Sequence, residues 1–336
     1  MSKIFDYIHI YKHQKNKRDS IVNGIIDAIT DNSLKKGDPL PSVNRFIQKF
    51  GVARMTVVKA LNILKERGVI ISQNKVGYFV KDDKLEYQVK VFLFLNRYDS
   101  YHETIYNQIL DSVHNPNISI DLFFHHCNPD IFNSILHKNM GLYGLYIVTC
   151  FDHPQIKTTL SQIPKRRLLQ ILRPPLLNTF PHITQDFNNG LKNELEKFKN
   201  RLEKYHEFVL IFSPEMNHPK KIKETFIEFC DKNNISFSVE NKLSMDLIVP
   251  GKVFGVIEDS DLLSLIQFSE KKGFRIGNQV GVISYNETPM KQIIRDGITV
   301  ISADFKEMGK AIAEFIMEPV HTQKVFTPKL IVRNSA

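Results

Sequence analysis

Three side chains suited to contacts with nucleic acid lie close together near residue 55, namely Arg54, Thr56 and Lys59. Arginine can donate two hydrogen bonds to the edge of a guanine, whereas threonine and lysine commonly contact phosphates. To reach base edges, Arg54 has to lie near the N-terminus of a helix that enters the major groove of DNA. The spacing therefore predicts a DNA-reading helix that begins near residue 54.

The elements that would hold this helix can be read from residues 40–80. Pro41 can open a preceding helix, and Gly51 can close it. The second helix would bury apolar side chains at helical spacing, namely Val57, Leu61 and Leu64. Two short apolar runs, 69–71 and 77–80, then predict a hairpin with Lys75 at its tip. Helix, turn, helix and hairpin together predict a winged helix-turn-helix.

This region resembles the DNA-binding domain of the GntR family of bacterial transcription regulators. The resemblance rests on LPS at residues 40–42, GVARMTV at 51–57 and GYFV at 77–80. Asn44 and Val58 stand where the family commonly has arginine. The resemblance and the chemistry above imply a set of DNA-contacting residues: Ser42, Arg54, Thr56, Lys59, Lys75 and Gly77. We expect residues 1–16 to be a solvated lead-in and the first helix to span about 19–32.

The distribution of charge agrees with this assignment. The chain of 336 residues has a net charge of +9, and residues 1–84 hold 16 Lys and Arg against 8 Asp and Glu. The remaining residues hold 29 basic against 28 acidic side chains. A basic N-terminal quarter beside a nearly neutral remainder is typical of a nucleic-acid reader joined to a second module.

Several classes of site and location are disfavoured. The three cysteines, Cys127, Cys150 and Cys230, are far apart, so we expect reduced thiols. His125, His126 and Cys127 are adjacent on a predicted strand and would point to opposite faces, so we expect no metal site. We also expect no cofactor, because the phosphate-binding glycine motifs are missing. The N-terminus lacks the apolar run of a signal peptide and no stretch is long enough to span a membrane, so we expect a cytoplasmic protein.

From residue 88 onward, short apolar runs alternate with amphipathic helices. The predicted strands are 89–95, 118–124, 144–149, 168–172, 208–212, 253–257, 280–284 and 298–301. The predicted helices are 102–114, 188–205, 219–233, 260–272 and 306–318. This alternation predicts α/β architecture with parallel sheets covered on both faces, and its length indicates two doubly wound lobes.

The second module resembles the effector-binding domain of the LacI/GalR regulators, which has the fold of periplasmic sugar-binding proteins. The similar segments are VFGVIEDSD at 253–261, GFRIGNQVGVISYN at 273–286, DGITV at 296–300, EMGKA at 307–311 and PKLIVRNS at 328–335. We therefore divide the chain into a DNA-binding domain (1–82), a linker (83–87) and an effector domain (88–336). Lobe 1 would hold about 88–185 and 302–320, and lobe 2 about 186–301 and 321–336. A GntR-type domain joined to a LacI-type domain is similar to the architecture of the arabinose-responsive repressors.

In such a fold, ligand binds between the lobes at the carboxyl ends of the strands. The candidate effector-binding residues at these ends are Arg97, Tyr98, Phe151, Arg173, Asp186, Glu215, Glu258, Asp259, Tyr285 and Asn286. Carboxylates, amides and arginines bind sugar hydroxyls, and aromatic rings pack on the C–H face of a sugar. The set suits a neutral monosaccharide such as a pentose or a deoxyhexose.

The resulting hypothesis is a homodimeric transcription regulator, most simply a repressor, that binds a pseudo-palindromic operator and is controlled by a small carbohydrate. A phosphosugar or a non-sugar effector remains open as an alternative. A third alternative, an enzyme fused to the DNA-binding domain, is disfavoured because an aminotransferase-like domain is longer than the remaining chain. The spacing and composition therefore favour a regulator that is not an enzyme.

Overall fold

The computed structural model describes residues 3–10, 17–30, 33–66, 68–74, 76–81 and 89–336. The N-terminal domain contains α1 (Lys3–Ile10), α2 (Lys17–Thr30), α3 (Val43–Phe50), α4 (Arg54–Glu66), β1 (Ile70–Gln73) and β2 (Gly77–Val80). Strands β1 and β2 pair antiparallel, with Gln73 opposite Gly77. Gly51 ends α3 in the left-handed conformation, at φ +60°, which glycine adopts without steric cost. The winged helix-turn-helix that the sequence predicts is confirmed.

Helix α1 corrects the expectation of a solvated lead-in. Its side chains Ile4, Phe5 and Ile8 are buried in the core of the N-terminal domain. The ring of Phe5 contacts that of Phe46 edge to face, with centroids 5.8 Å apart. Gly24 of α2 permits this close packing, because a Cβ there would lie 2.4 Å from Cγ1 of Ile8. The apolar stripe of α1 is only two turns long, which is too short to indicate a helix by periodicity alone.

The second module alternates strands and helices along the chain. In order, its elements are β3 (Val89–Leu95), α5 (Ser100–Ser112), β4 (Ile118–Phe124), α6 (Pro129–Asn139), β5 (Leu145–Thr149), α7 (Pro154–Leu160), β6 (Leu168–Leu172), β7 (His182–Gln185), α8 (Asn189–Leu202), β8 (Glu207–Ile211), α9 (Lys220–Lys232), β9 (Phe237–Glu240), β10 (Lys252–Val256), α10 (Asp259–Lys271), β11 (Val280–Tyr285), α11 (Pro289–Ile293), β12 (Thr299–Ser302), α12 (Phe305–Met317), β13 (Gln323–Phe326) and β14 (Lys329–Ile331).

These strands form two sheets of six, one in each lobe. The sheet of lobe 1 has the order β13-β7-β6-β5-β3-β4, and that of lobe 2 has the order β14-β12-β11-β10-β8-β9. All neighbours are parallel except β12 and β14. Apolar clusters lie on both faces of each sheet, where helices cover it. The predicted two-lobed α/β architecture is therefore confirmed.

The sequence analysis did not predict the short strands at or near the sheet edges. Strands β7, β9 and β13 have only four residues each, and β13 is largely exposed. A strand of this kind lacks the continuous apolar run that marks a buried strand. Because β13 pairs with β7, residues 323–326 lie in the sheet of lobe 1, whereas our division placed them in lobe 2. Among the helices in the described ranges, none is both long and apolar enough to cross a membrane.

Candidate functional site

One face of α4 is buried and the opposite face is open to solvent. Val57, Ala60, Leu61 and Leu64 pack into the domain core. The open face carries the side chains of Arg54, Met55, Lys59, Asn62 and Lys65, and Met55 is 62% exposed. Arg54, at the first turn of α4, stands where a helix in the major groove meets base edges. The geometry of this face is that of a DNA-reading helix.

The other predicted DNA contacts have different surroundings. Ser42 caps α3, because its hydroxyl accepts a hydrogen bond from the backbone N–H of Arg45 at 3.3 Å. Thr56 is half-buried in the first turn of α4. Gly77 begins β2 at φ +138°, and the neighbouring Lys75 lies outside the described residues. Arg45 is exposed on α3 and extends the basic surface; the sequence analysis did not single it out.

A cluster of charged side chains connects the two lobes, and we call it the interlobe cluster: Arg97, Asp99, His218 and Glu258. Arg97 of lobe 1 donates to Asp99 at 2.9 Å and to Glu258 of lobe 2 at 2.7 Å. His218 lies 3.1 Å from the same oxygen of Glu258. Burial opposes ionisation of Glu258, but hydrogen bonds from His218 and Arg97 lower its pKa to about 2. Glu258 is therefore held as a carboxylate that bridges the lobes.

A second interlobe contact comes from the end of β6. Arg173 donates from Nη1 to the backbone carbonyl of Asn217 in lobe 2 at 2.8 Å, and the same atom lies 3.6 Å from Sγ of Cys127. The backbone N–H of Arg173 bonds to the carbonyl of Ile171 at 2.8 Å, and Leu172 between them has φ +68°. This combination is a γ-turn with positive φ, which is a rare and strained geometry.

Unusual backbone conformations concentrate at this edge of the sheets. His126, Cys127, Asn217 and Asn286 all have φ between +49° and +65° and all follow the carboxyl end of a strand. Non-glycine residues seldom adopt such values, and they recur at functional sites. Leu172, at the end of β6, has φ +68° and belongs to the same group of strand-end residues.

Several buried polar atoms at the same strand ends have no hydrogen-bond partner among the described residues: Thr149 Oγ1, Gln185 Oε1, Ser284 Oγ, Tyr285 Oη and Asn286 Oδ1. Buried polar groups in native proteins are nearly always satisfied, so such a group calls for a specific explanation. Burial also raises the pKa of Tyr285, which keeps its phenol protonated and able to donate. These unpartnered atoms are therefore candidates for contact with a polar ligand.

The remaining predicted effector residues serve other contacts in this structure. Phe151 is buried in lobe 1 and stacks on His125, with centroids 5.2 Å apart. Tyr98 is half-exposed and contacts Tyr106 and Phe124 edge to face. The sequence marks strand ends but does not show which way each side chain turns, and these two aromatic side chains turn to the protein rather than to the interlobe space.

The other three predicted acidic residues of lobe 2, besides Glu258, differ from one another. Asp186 accepts from the backbone N–H groups of Asn188 and Gly190, at 2.9 Å each, and so holds the start of α8. Asp259 forms an ion pair with the buried Lys291 at 2.8 Å. Glu215 is exposed in a short 3₁₀ turn. Of the ten predicted positions, Arg97, Arg173 and Glu258 make contacts between the lobes, whereas Tyr285 is buried in lobe 2 and stacks on Phe187.

Both ring nitrogens of His125 are already engaged. Its Nε2 lies 3.0 Å from the carbonyl of Thr149, and its Nδ1 accepts from the backbone N–H of Cys127 at 3.1 Å. Burial lowers the pKa of His125 to about 3. In the described ranges, no group of three or more His, Cys, Asp and Glu side chains is placed to hold a metal ion.

A contact between the N-terminal domain and lobe 1 lies at the opposite end of β6. The carboxylate of Asp27 on α2 accepts from Nε of Arg167 at 2.9 Å and pairs with Arg166 at 2.8 Å. Asp27 and Arg167 are only 2% and 6% exposed. Nearby, the amide of Asn23 donates to the carbonyl of Gly141 at 2.8 Å. These polar contacts join the DNA-reading domain directly to the effector domain.

Comparison with known proteins identifies both modules. Residues 17–80 match the gntR family of bacterial regulatory proteins, and residues 205–336 match the periplasmic binding protein-like domain. A curated relative, the mannosyl-D-glycerate transport/metabolism system repressor MngR of Escherichia coli (strain K12), is 30% identical over 91 residues. That match covers 27% of this chain and 38% of the relative, so the chain matches well under two thirds of the relative's length.

Solved structures share the fold of the second module. The trehalose repressor from Escherichia coli superposes with a TM-score of 0.62 at 13% identity, covering 73% of this chain and all of the repressor chain. A LacI family transcriptional regulator from Lactobacillus casei with bound sucrose has a TM-score of 0.60 at 11% identity, covering 74% of this chain and 99% of that one. None of these descriptions is of an enzyme. The chain therefore joins a GntR-type winged helix-turn-helix domain to a periplasmic-binding-protein-like domain.

Proposed function

We propose that this protein is a cytoplasmic, DNA-binding transcriptional repressor whose affinity for its operator is set by a small carbohydrate bound between the two lobes. The observation that carries the proposal is the group of unpartnered buried polar atoms at the strand ends of both lobes. A ligand with several hydroxyl groups satisfies such atoms from one position, and it does so only while the lobes are together.

The control of DNA binding follows from differential affinity. A ligand shifts an equilibrium between lobe arrangements only if it binds one arrangement more tightly than the other. Strand ends of both lobes carry unpartnered polar groups, so a ligand that contacts both lobes would favour the closed arrangement. A homodimer would place two copies of α4 on an operator with two half-sites, and the lobe arrangement would set their spacing. Carbohydrate binding would thereby change operator affinity.

The DNA-binding part of this proposal is tested by Arg54→Ala after the operator has been selected from a random DNA library with the full chain. Loss of a bidentate base contact costs about 1–3 kcal/mol, so operator affinity should fall roughly 5- to 150-fold while binding to random DNA changes little. The matched control is Lys157→Ala, which removes one exposed positive charge from α7 of lobe 1. Undiminished sequence discrimination by Arg54→Ala would contradict the assignment of α4.

A further inference from the structure

Arg173 differs from the other charged side chains at the interlobe space in its partners. Within the part of the chain that the structure describes, Arg173 has a backbone carbonyl and a thiol as partners but no carboxylate at ion-pair distance. Its side chain is half-buried at the end of β6. A guanidinium in such a place lacks both full hydration and a counter-charge, which is an unfavourable arrangement for a protein without a ligand.

The neighbouring acidic groups are already engaged. Glu258 and Asp99 both contact Arg97, and Asp99 also lies 2.7 Å from Nδ1 of His102. Asp259 pairs with Lys291, and Asp186 binds backbone N–H groups. In this arrangement each of these carboxylates therefore has a partner other than Arg173. Arg173 is the guanidinium that remains open to a counter-charge from a ligand.

The backbone conformation that places Arg173 at the end of β6 is energetically unfavourable. The γ-turn at Leu172 is strained, and strain of this kind persists where the surrounding structure holds it in place. An extended backbone would continue the strand and place the next side chain elsewhere. The turn and the lack of a counter-charge are separate observations, and both single out Arg173 as a ligand-contacting residue.

A second arginine lies in the same part of the interlobe space. Burial raises the pKa of the Cys127 thiol, and the positive charges of Arg173 and Arg97 both oppose that rise. Arg97, however, is already paired with Asp99 and Glu258, so Arg173 is the arginine that is left to meet a ligand. One guanidinium group can bind the oxygens of a phosphate or a carboxylate through two parallel hydrogen bonds.

We infer that the effector carries an anionic group, a phosphate ester or a carboxylate, and that Arg173 binds this group. The inference rests on the proposed function, since it specifies the ligand class of the same interlobe site. It also replaces the neutral monosaccharide that the sequence favoured with a sugar phosphate or a sugar acid. The hydroxyl groups of that sugar would meet the unpartnered strand-end atoms, and its anion would neutralise Arg173.

The test measures ligand binding to the full chain by calorimetry at constant ionic strength. Each neutral sugar in a panel is compared with its phosphate ester and with its sugar acid, and inorganic phosphate serves as a minimal probe. We expect one anionic member to bind at least tenfold more tightly than its neutral parent. In Arg173→Gln this preference should fall by about tenfold or more, since a hydrogen bond to a charged group is lost. Comparing the affinities of the phosphate ester and the sugar acid shows which anion the protein recognises.

The control is Arg275→Gln, which removes an equally charged but exposed side chain that precedes β11, at the end of the strands opposite to the ligand space. It should retain the preference for the anionic member. Tight binding of a neutral sugar that Arg173→Gln leaves unchanged would overturn the anion inference and leave the proposed function intact. Failure of every panel member and of inorganic phosphate to bind would also overturn it. Failure of the proposed function shows separately, as absence of operator selection by the wild-type chain.

Discussion

Strand β6 has an arginine at each end, and the two arginines have opposite surroundings. Arg167 precedes the strand, is almost fully buried and meets the carboxylate of Asp27. Arg173 follows the strand and has no carboxylate partner among the described residues. Only the five residues Leu168–Leu172 separate them, which corresponds to about 17 Å of extended chain. One end of the strand therefore touches the DNA-reading domain, and the other faces the ligand space.

The two arginines therefore differ in where their partners come from. Arg167 has its carboxylate partner within the chain, whereas Arg173 would obtain one from a ligand. The ion pair at Arg167 is complete without an effector. Arg173, by the inference above, is completed by the anion of the ligand. Strand β6 pairs with β5 and β7 on its two sides, so both arginines flank one strand in the interior of the sheet. The strand therefore links the ligand space to the contact with the DNA-reading domain.

Removing the complete contact should have the largest effect. Asp27→Ala deletes the carboxylate that Arg166 and Arg167 both contact, and breaking a buried ion pair in this way typically costs about 3–5 kcal/mol. We expect the free energy of unfolding in urea to fall by that amount. Replacing both partners, as in Asp27→Leu with Arg167→Met, should recover most of the loss, since an apolar pair of similar volume avoids the buried charges.

The matched control for this variant lies on the same helix. Asp19 pairs with Arg18 at 2.8 Å, but Arg18 is 39% exposed, so Asp19→Ala should cost less than about 1 kcal/mol. If Asp27→Ala lowers the free energy of unfolding no more than Asp19→Ala does, the contact at Arg167 does not hold the two domains together. That result would contradict the role assigned here to the Arg167 end of β6.

Glu258 provides the second test, since it neutralises the other arginine of the interlobe space. Its pKa in the folded protein is about 2, below the usual value of 4.5, so it contributes stability that is complete above pH 4.5 and is lost as the pH falls toward 2. A shift of this size corresponds to roughly 3 kcal/mol. In Glu258→Gln we expect this part of the pH dependence to disappear from urea titrations between pH 2 and 5. An unchanged pH profile would mean that Arg97 is not held by Glu258.

The sequence predicted the parts of the molecule that depend on local patterns. The buried stripe of α4 and the run of apolar strands both arise from spacing within one element, and both are confirmed. The ion pair of Asp27 and Arg167 joins positions 140 residues apart, and no local pattern reveals it. The same holds for His218, whose role follows from its position beside Glu258 and not from any motif.

The candidate ligand site was predictable to the level of strand ends and no further. Parallel strands place their carboxyl ends at one edge, so the sequence placed Arg97, Arg173 and Glu258 in one region. Which side chains face the interlobe space depends on turns such as the one at Leu172, and these are set by tertiary packing. The lack of a carboxylate partner for Arg173 among the described residues depends on all its neighbours together, which explains why the sequence favoured a neutral sugar.

Asn286 provides the smallest and most specific test of an incomplete ligand space. Its side-chain oxygen is buried without a partner among the described residues, and its φ of +65° suits glycine. Asn286→Gly removes the unsatisfied oxygen, and the greater backbone entropy of glycine in the unfolded chain offsets part of the gain. We expect the free energy of unfolding without ligand to change by less than about 1 kcal/mol, while the stabilisation by effector decreases.

Asn286→Ala should be about 1 kcal/mol less stable than the glycine variant, because its Cβ is strained at positive φ. A loss of several kcal/mol in Asn286→Gly would assign Asn286 to the fold, like Asp27, rather than to the ligand.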